Sequence, residues 1–378
     1  MMTNPPLIKQ SAASLRALCA SCGLKKSGTK ATLVQRLRRA ARRLQPLPPT
    51  VRILSIDLGL RNFAFCLLSP AAQQPPASPS QQPASSPAII TSPVHLHAWH
   101  RLDLTLPSTP TPPPPKADQT KGGQNPNLTR EDHEEGRKEE DDDSEEEFSP
   151  AALAALALRL ATTHLLPLRP SHVLIERQRF RTAGGAAIFE WTLRVNTLEA
   201  MLHAVLAALR RGRRSGADDD DVGGWDGEVS SVPPKRVGGF LFPSGADGER
   251  LPAGDGVIRG KGKNAAYLAL KREKVDLLTG WLRDGEMVVP KTAQAREMAG
   301  LFLEGWEARE RKKAGGGEKH KGYRKGTVRA EKKAADELVT KMDDLSDAVL
   351  QGMVWLQWQR NLESLVKQQP ELLDEHRG

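Results

Sequence analysis

Two short apolar runs in this chain each close on a carboxylate, Ile53-Leu-Ser-Ile-Asp57 and Val173-Leu-Ile-Glu176. Runs of this length, rich in β-branched residues and bounded by Gly, Pro or polar segments, read as strands. A carboxylate at the end of such a strand lies beside a sheet rather than in bulk water. A third acidic group, Asp343, Asp344 and Asp347, sits among Leu345, Ala348, Val349, Leu350, Met353, Val354 and Leu356. That surround predicts a packed helix whose acids lie near a core. Asp343 and Asp347 are four apart and share a helical face, while Asp344 and Asp347 are three apart and nearly do. Asp343 is therefore the preferred partner of Asp347, although the spacing admits Asp344.

Carboxylates that converge in a low-dielectric place repel one another unless a cation neutralises them. Hard oxygen ligands with room for water and phosphate suit Mg²⁺, and also Mn²⁺. Such ions activate water on one side of a phosphodiester and stabilise the leaving oxygen on the other. Each acid has a plainer reading, because a strand-end Asp can cap a turn and an acidic helix face is usually solvated. The Asp-x-Gly turn at Asp57 to Gly59 is also used by sugar kinases and actin-like ATPases to hold phosphate. What separates these readings is the segment after Glu176.

That segment is Arg177-Gln178-Arg179-Phe180-Arg181. Guanidinium forks match phosphate oxygens, and a Phe can stack on a splayed base. A second basic group, Arg259, Lys261, Lys263, Lys271, Arg272 and Lys274, opens and lines a predicted helix, where it suits phosphate tracking or a solvated face. The formal net charge is +9 despite the acidic run at 131–147 and Asp218 to Asp221, so the remaining surface is basic and a polyanionic partner follows. Three cysteines in 378 residues cannot form a secreted disulfide framework. No apolar run reaches the length of a membrane span, and no membrane partner is expected.

The first acidic residue is Asp57, preceded by eleven Lys and Arg residues from Lys9 to Arg52. This bias fits a mitochondrial address, or a basic nucleic-acid module that opens the chain. Leu15, Leu18, Cys19 and Cys22 form one helical stripe, and Leu33, Val34, Leu37, Ala41 and Leu44 a second, across the loop that begins at Lys25. Cys19 and Cys22 therefore read as core rather than as a metal or redox pair. The hairpin, with Gly23-Leu and Ser27-Gly-Thr-Lys30-Ala-Thr-Leu-Val34, resembles the SAP motif, a small DNA-binding helical module; Lys26 and Lys30 are its DNA-facing candidates.

The rest reads as an α/β domain over 51–366, following the module at 1–48. Strands are expected at Val51 to Asp57, Phe63 to Leu68, Val94 to Trp99, His172 to Glu176 and near Val232 to Val237. Helices are expected at Ala151 to Leu166, Ala186 to Arg210, within Ala265 to Leu282, and at Ala334 to Leu365. Segments near 70–93 and 107–150, dominated by Pro, Ser, Gln and then Glu and Asp, are expected to be disordered inserts. Gly-rich and charged stretches at 211–230, 244–262 and 310–333 look like loops. His95, His97 and His100 receive no catalytic role, and Trp191, Trp355 and Trp358 are read as core or as a dimer interface.

Ile56-Asp57-Leu-Gly with Arg61-Asn62, Ile175-Glu176-Arg-Gln-Arg-Phe-Arg181, and Asp343-Asp344-Leu-Ser-Asp347 together resemble the fungal mitochondrial Holliday junction resolvases, relatives of bacterial RuvC. The motifs stand in that family's order over about 51–360. The resemblance implies an RNase H-like mixed sheet flanked by helices, a homodimer, Mg²⁺ dependence and paired nicks across four-way junction DNA. It implies that Asp57, Glu176 and Asp347, with Asp343 or Asp344, are metal ligands, and that Arg177, Gln178, Arg179 and Arg181 contact the junction. Other expectations compete with this one: an RNase H-like nuclease acting on other branched or hybrid substrates, or a DNA-binding protein without catalysis.

Overall fold

The computed structural model describes residues 7–71, 90–105, 148–178, 189–214, 225–243, 261–314 and 325–373. Its centre is a six-stranded mixed sheet. β1 (Ile53–Asp57), β2 (Phe63–Pro70) and β3 (Val94–Leu102) form an antiparallel meander; β4 (His172–Glu176) lies parallel to β1, and β5 (Glu228–Val232) parallel to β4. β6 (Val288–Pro290) pairs parallel to β3 at the far edge, so the order is β5-β4-β1-β2-β3-β6.

Alternation along the strands separates two cores. Leu54, Ile56, Val173 and Ile175 point to the face covered by α3 (Pro150–Arg159) and α4 (Glu190–Arg214), where Leu153, Ala157, Leu198 and Leu202 are buried. Ile53 and Leu174 point to the other face, beneath α5 (Pro234–Leu241), α6 (Lys261–Asp284), α7 (Ala293–Ala314) and α8 (Lys325–Gln368). The same alternation turns Ser55, Asp57 and Glu176 toward this second face, under α8.

α8 lies unusually close to the sheet. A Cβ on Gly352 would stand 2.6 Å from Leu68 Cδ1 and 3.2 Å from Ser55 Cβ, so only glycine permits this approach. Buried polar groups fix the position. Trp99 Nε1 donates to the Leu345 carbonyl at 3.1 Å, and Gln351 Nε2 donates to Ser55 Oγ and to the Ile56 carbonyl, each at 3.1 Å.

The N-terminal hairpin, α1 (Ala12–Ser21) and α2 (Lys30–Arg43), begins on side-chain caps. Ser11 Oγ accepts from Ser14 N and Thr29 Oγ1 from Thr32 N. Leu15, Cys19, Leu33 and Leu37 are buried in one cluster with Leu362, Leu365 and Leu372 at the end of α8. Each fully buried Leu contributes about 1.5–3 kcal/mol, so the hairpin is welded to the domain. Asn361 Nδ2 donates to the Ser21 carbonyl at 2.7 Å, and Gly23, at φ 68°, lies against the Trp358 ring. All three cysteines are free and buried, as packing residues should be.

Several boundaries differ from expectation. The strand expected near Val232 to Val237 ends at Val232, because Pro233 and Pro234 cannot donate to a ladder and Pro234 instead opens α5. The helix expected at Ala151 to Leu166 changes to π-helical geometry over Leu160–Leu165. The expected loops are trimmed: α4 reaches Arg214, β5 starts at Glu228, α6 starts at Lys261, α7 reaches Ala314 and α8 starts at Lys325. Lys, Arg, Glu and Ala that read as solvated loop serve equally well as a solvated helix face. β6 and α7 had no counterpart in the sequence reading. Most of the two Pro- and acid-rich inserts, 72–89 and 106–147, lies outside the described residues.

One stretch, Pro150–Leu168, is apolar and long enough by composition to cross a membrane, against the sequence expectation. Here its stripe Leu153, Ala157, Leu160, Ala161 and Leu165 is buried against the sheet and α4. Trp191, expected in a core or a dimer interface, is 40% exposed and so is not a core residue of this chain, whereas Trp355 and Trp358 are buried.

Candidate active site

Parallel pairing sets Ile56 of β1 opposite Ile175 of β4, so one further residue brings Asp57 beside Glu176 at the carboxyl ends of the two central strands. The two side chains share a hydrogen bond. Burial first, then the charges of Glu176, Asp347 and Asp344, hold the Asp57 carboxyl well above the usual carboxylate range. The charges of the helix acids Asp344 and Asp347 therefore act on the strand acid Asp57, across the gap closed by Gly352 and Gln351.

The two candidates beside Asp347 have different surroundings. Asp343 is 5% exposed and its Oδ2 stands 2.5 Å from Lys271 Nζ. Asp344 is the one of the two whose charge acts on Asp57. Burial, followed by the neighbouring Asp343 charge, pushes Asp344 up to about 7, although Lys271 and Arg101 oppose the shift. Asp347 is raised chiefly by burial, against the pull of Lys274, whose Nζ lies 2.6 Å from Oδ1 and 2.9 Å from Oδ2. Burial disfavours the Lys274 ammonium, yet Asp347 and Asp343 raise it overall.

Asp343 Oδ1 and Asp344 Oδ2 are buried oxygens with no hydrogen-bond partner among the described residues. Unpaired buried carboxylate oxygens are costly, and a hard cation is the ligand their chemistry fits. Among the described residues, no three His, Cys, Asp or Glu side chains form a ready metal cage. The acids instead stand as two halves, Asp57 with Glu176 on the strands and Asp343 with Asp347 on lysines.

Of the basic residues singled out from sequence, Arg177 is exposed just beyond Glu176, its backbone N–H tied to the Val232 carbonyl. Gln178 is engaged within the protein: its N–H donates to Glu199 Oε2 at 2.9 Å and its Nε2 to the Leu58 carbonyl at 3.1 Å. It thereby fastens the segment after β4 to the turn after β1. Arg179, Phe180 and Arg181 lie outside the described residues, as do the side chains of Lys261 and Lys263 on α6. Arg272, Lys26 and Lys30 are exposed. Lys271 and Lys274, expected to face DNA, point into the acids instead.

Two cations escaped the sequence reading because neither sits in a basic run. Arg101 on β3 donates to Asn62 Oδ1 and to the Arg61 carbonyl, and its charge acts on Asp344. Arg236 on α5 donates to the Gly23 carbonyl at 2.9 Å, and its guanidinium is depressed first by burial and then by the charges of Arg36 and Arg177. It therefore stands between the N-terminal hairpin and the mouth of the acidic site.

An antiparallel meander continued by two parallel strands, with acids on the adjacent central strands and on a helix laid across them, defines an RNase H-like domain. The family model described as mitochondrial resolvase Ydc2 / RNA splicing MRS1 matches residues 53–365, and the SAP domain matches 9–42. The chain belongs to this family. It is similar to the mitochondrial cruciform cutting endonuclease 1 of Schizosaccharomyces pombe, 32% identical over 197 residues, 52% of this chain and 55% of the relative. The chain thus spans about half the length of that curated relative. The crystal structure of the yeast mitochondrial Holliday junction resolvase Ydc2 superposes with a TM-score of 0.46 at 23% identity, covering 94% of this chain and 95% of that one.

Proposed function

We propose that this chain is a structure-selective mitochondrial endonuclease that resolves four-way DNA junctions by metal-dependent phosphodiester hydrolysis. The observation that carries the reading is the electrostatic convergence of Asp57, Glu176, Asp344 and Asp347 at one end of the sheet, in a member of a resolvase family. Nucleases of this family generally use a divalent metal, and Mg²⁺, or Mn²⁺ in its place, suits an all-carboxylate donor set. Asp57, Glu176 and Asp347 would hold it, with Asp344 supplying a further oxygen. Bound there, it would activate water and neutralise charge developing on the phosphate.

The chain's own residues do the rest. The Gln178 contact to Leu58 holds Arg177 and Gln178 beside the strand acids. Arg177, Arg236 and Arg36 make a positive track from the site to the SAP hairpin, along which one duplex arm would lie. Two opposed cuts on a symmetric junction call for two sites related by a two-fold axis, hence a homodimer. The exposed apolar side chains Leu158, Phe189, Trp191 and Leu193 are available for contact with the second copy.

Incubating the full chain with a four-way junction, a linear RNA–DNA hybrid and a flap, each with Mg²⁺, tests the reading. Paired nicks on the junction are expected, with Asp57→Asn binding but not cutting. Preferential cutting of the hybrid would sink the junction assignment; unchanged cutting by Asp57→Asn would sink the site.

A further inference from the structure

The α6 face turned toward α8 carries two lysines at Lys271 and Lys274, three apart and so on the same side of the helix. Neither is directed at solvent. Lys274 Nζ lies 2.6 Å from one Asp347 oxygen and 2.9 Å from the other, a fork that satisfies both, and its side chain is 17% exposed. Lys271 Nζ lies 2.5 Å from Asp343 Oδ2. The strand acids settle their repulsion differently, by the hydrogen bond between Asp57 and Glu176. The charge of Lys274 acts also on Asp343 and Glu176, so one ammonium serves both halves of the cluster.

Burying an ion pair on this scale is costly and contributes little net stability against an apolar pair of the same shape. Removing the lysines alone would leave Asp343 and Asp347 buried without a counter-charge, so the lysines answer a need of the acids. We propose that Lys274, with Lys271 in support, is a built-in stand-in cation: it neutralises the helix acids of the site and competes with a divalent metal for them. A metal drawing on Asp347 must displace the Lys274 ammonium or bind against its charge. The lysines thus set how tightly the site holds metal, while keeping the acid-bearing segment of α8 folded when metal is scarce. This inference rests on the metal-binding reading of the acids.

The test is calorimetric titration of the full chain with Mn²⁺, paired with thermal melts in the presence of a chelator. Lys274→Met keeps the length of the side chain and removes its charge. It is expected to lower the melting temperature of the chelated protein, to bind Mn²⁺ about tenfold more tightly, and to show a larger Mn²⁺-induced rise in melting temperature. Lys274→Arg, which keeps the charge, should return both readings toward wild type. Should Lys274→Met fold poorly, Lys271→Met carries the same expectations in smaller measure. Mn²⁺ binding that is unchanged or weaker in the Met variants, with wild type binding normally, overturns the stand-in role. Absence of Mn²⁺ binding by wild type, or binding unaffected by Asp57→Asn and Asp347→Asn, overturns the metal reading and this inference with it.

Discussion

Gln351 donates from Nε2 to Ser55 Oγ and to the Ile56 carbonyl, each at 3.1 Å, and so joins the turn of α8 that follows Asp347 to the strand that ends in Asp57. One buried amide thus sets the distance between the helix acids and the strand acids. Gln351→Leu is expected to cost about 1–3 kcal/mol, since Ser55 Oγ is left unpaired in the core. A residue that orients the ligands of a metal site typically matters about 10- to 100-fold. Cleavage should fall by that factor while junction affinity stays nearly constant; unfolding and single-turnover cleavage of the same preparation check both.

Gly352 marks the closest approach of helix to sheet, and a side chain there must displace Leu68 or Ser55. Gly352→Val is expected to lose about 1–3 kcal/mol through overpacking and to lift Asp347 away from Asp57. Gly300 on α7, where an added Cβ would meet nothing within 4 Å, is the control. Gly300→Ala should gain up to about 1 kcal/mol from helix propensity alone. Urea denaturation of the two variants should move in opposite directions.

Asp344 links stability to pH. Unfolded, it titrates near 3.8; folded, it is pushed up to about 7, so the folded protein holds this proton more tightly. Its contribution is therefore fully present below the unfolded value and is lost as pH rises through the folded one. In chelator, the melting temperature should fall between about pH 4 and about pH 7, and Asp344→Asn should flatten that fall in part. An equally steep fall in the variant would remove Asp344 from the cluster. The comparison with Asp343→Asn bears on ligand choice: because Asp344 acts on Asp57 and Asp343 is held by Lys271, Asp344→Asn is expected to weaken metal binding more.

Arg236 makes a prediction about the SAP hairpin. Arg236→Ala removes the donor to the Gly23 carbonyl and the charge between Arg36 and Arg177. Junction affinity is expected to drop about three- to tenfold, and the slope of log affinity against log salt to flatten by roughly one. The cutting rate at saturating enzyme should hold. Binding isotherms over a salt series decide this, and a slope identical to wild type would remove Arg236 from the DNA track.

The strands that carry the acids were legible in the sequence because their apolar runs are short, β-branched and bounded by Gly or Pro. The hairpin was legible because two helical stripes flank a glycine-containing loop. Other elements were hidden by composition. β6 is three residues long and ends in proline, too short for any periodicity to show. α7 and the start of α8 are rich in Lys, Arg, Glu and Ala, which describe a solvated helix as well as a loop. Lys271 and Lys274 read as a phosphate-tracking stripe, since nothing along one helix shows that its neighbour presents carboxylates.

By itself the sequence determined the types of side chain and their spacing: acids closing two apolar runs, acids three and four apart on a helix, and cysteines on an apolar stripe. These follow from local rules, the two-residue repeat of a strand and the 3.6-residue repeat of a helix. Only the tertiary structure decided which groups meet. The parallel register of β1 and β4 set Asp57 beside Glu176, and the closeness allowed by Gly352 brought the charges of Asp344 and Asp347 to bear on Asp57. The turn of α6 gave two cations to the acids rather than to solvent. Charge acts through space, and the distances that govern it are set by packing between segments far apart in the chain.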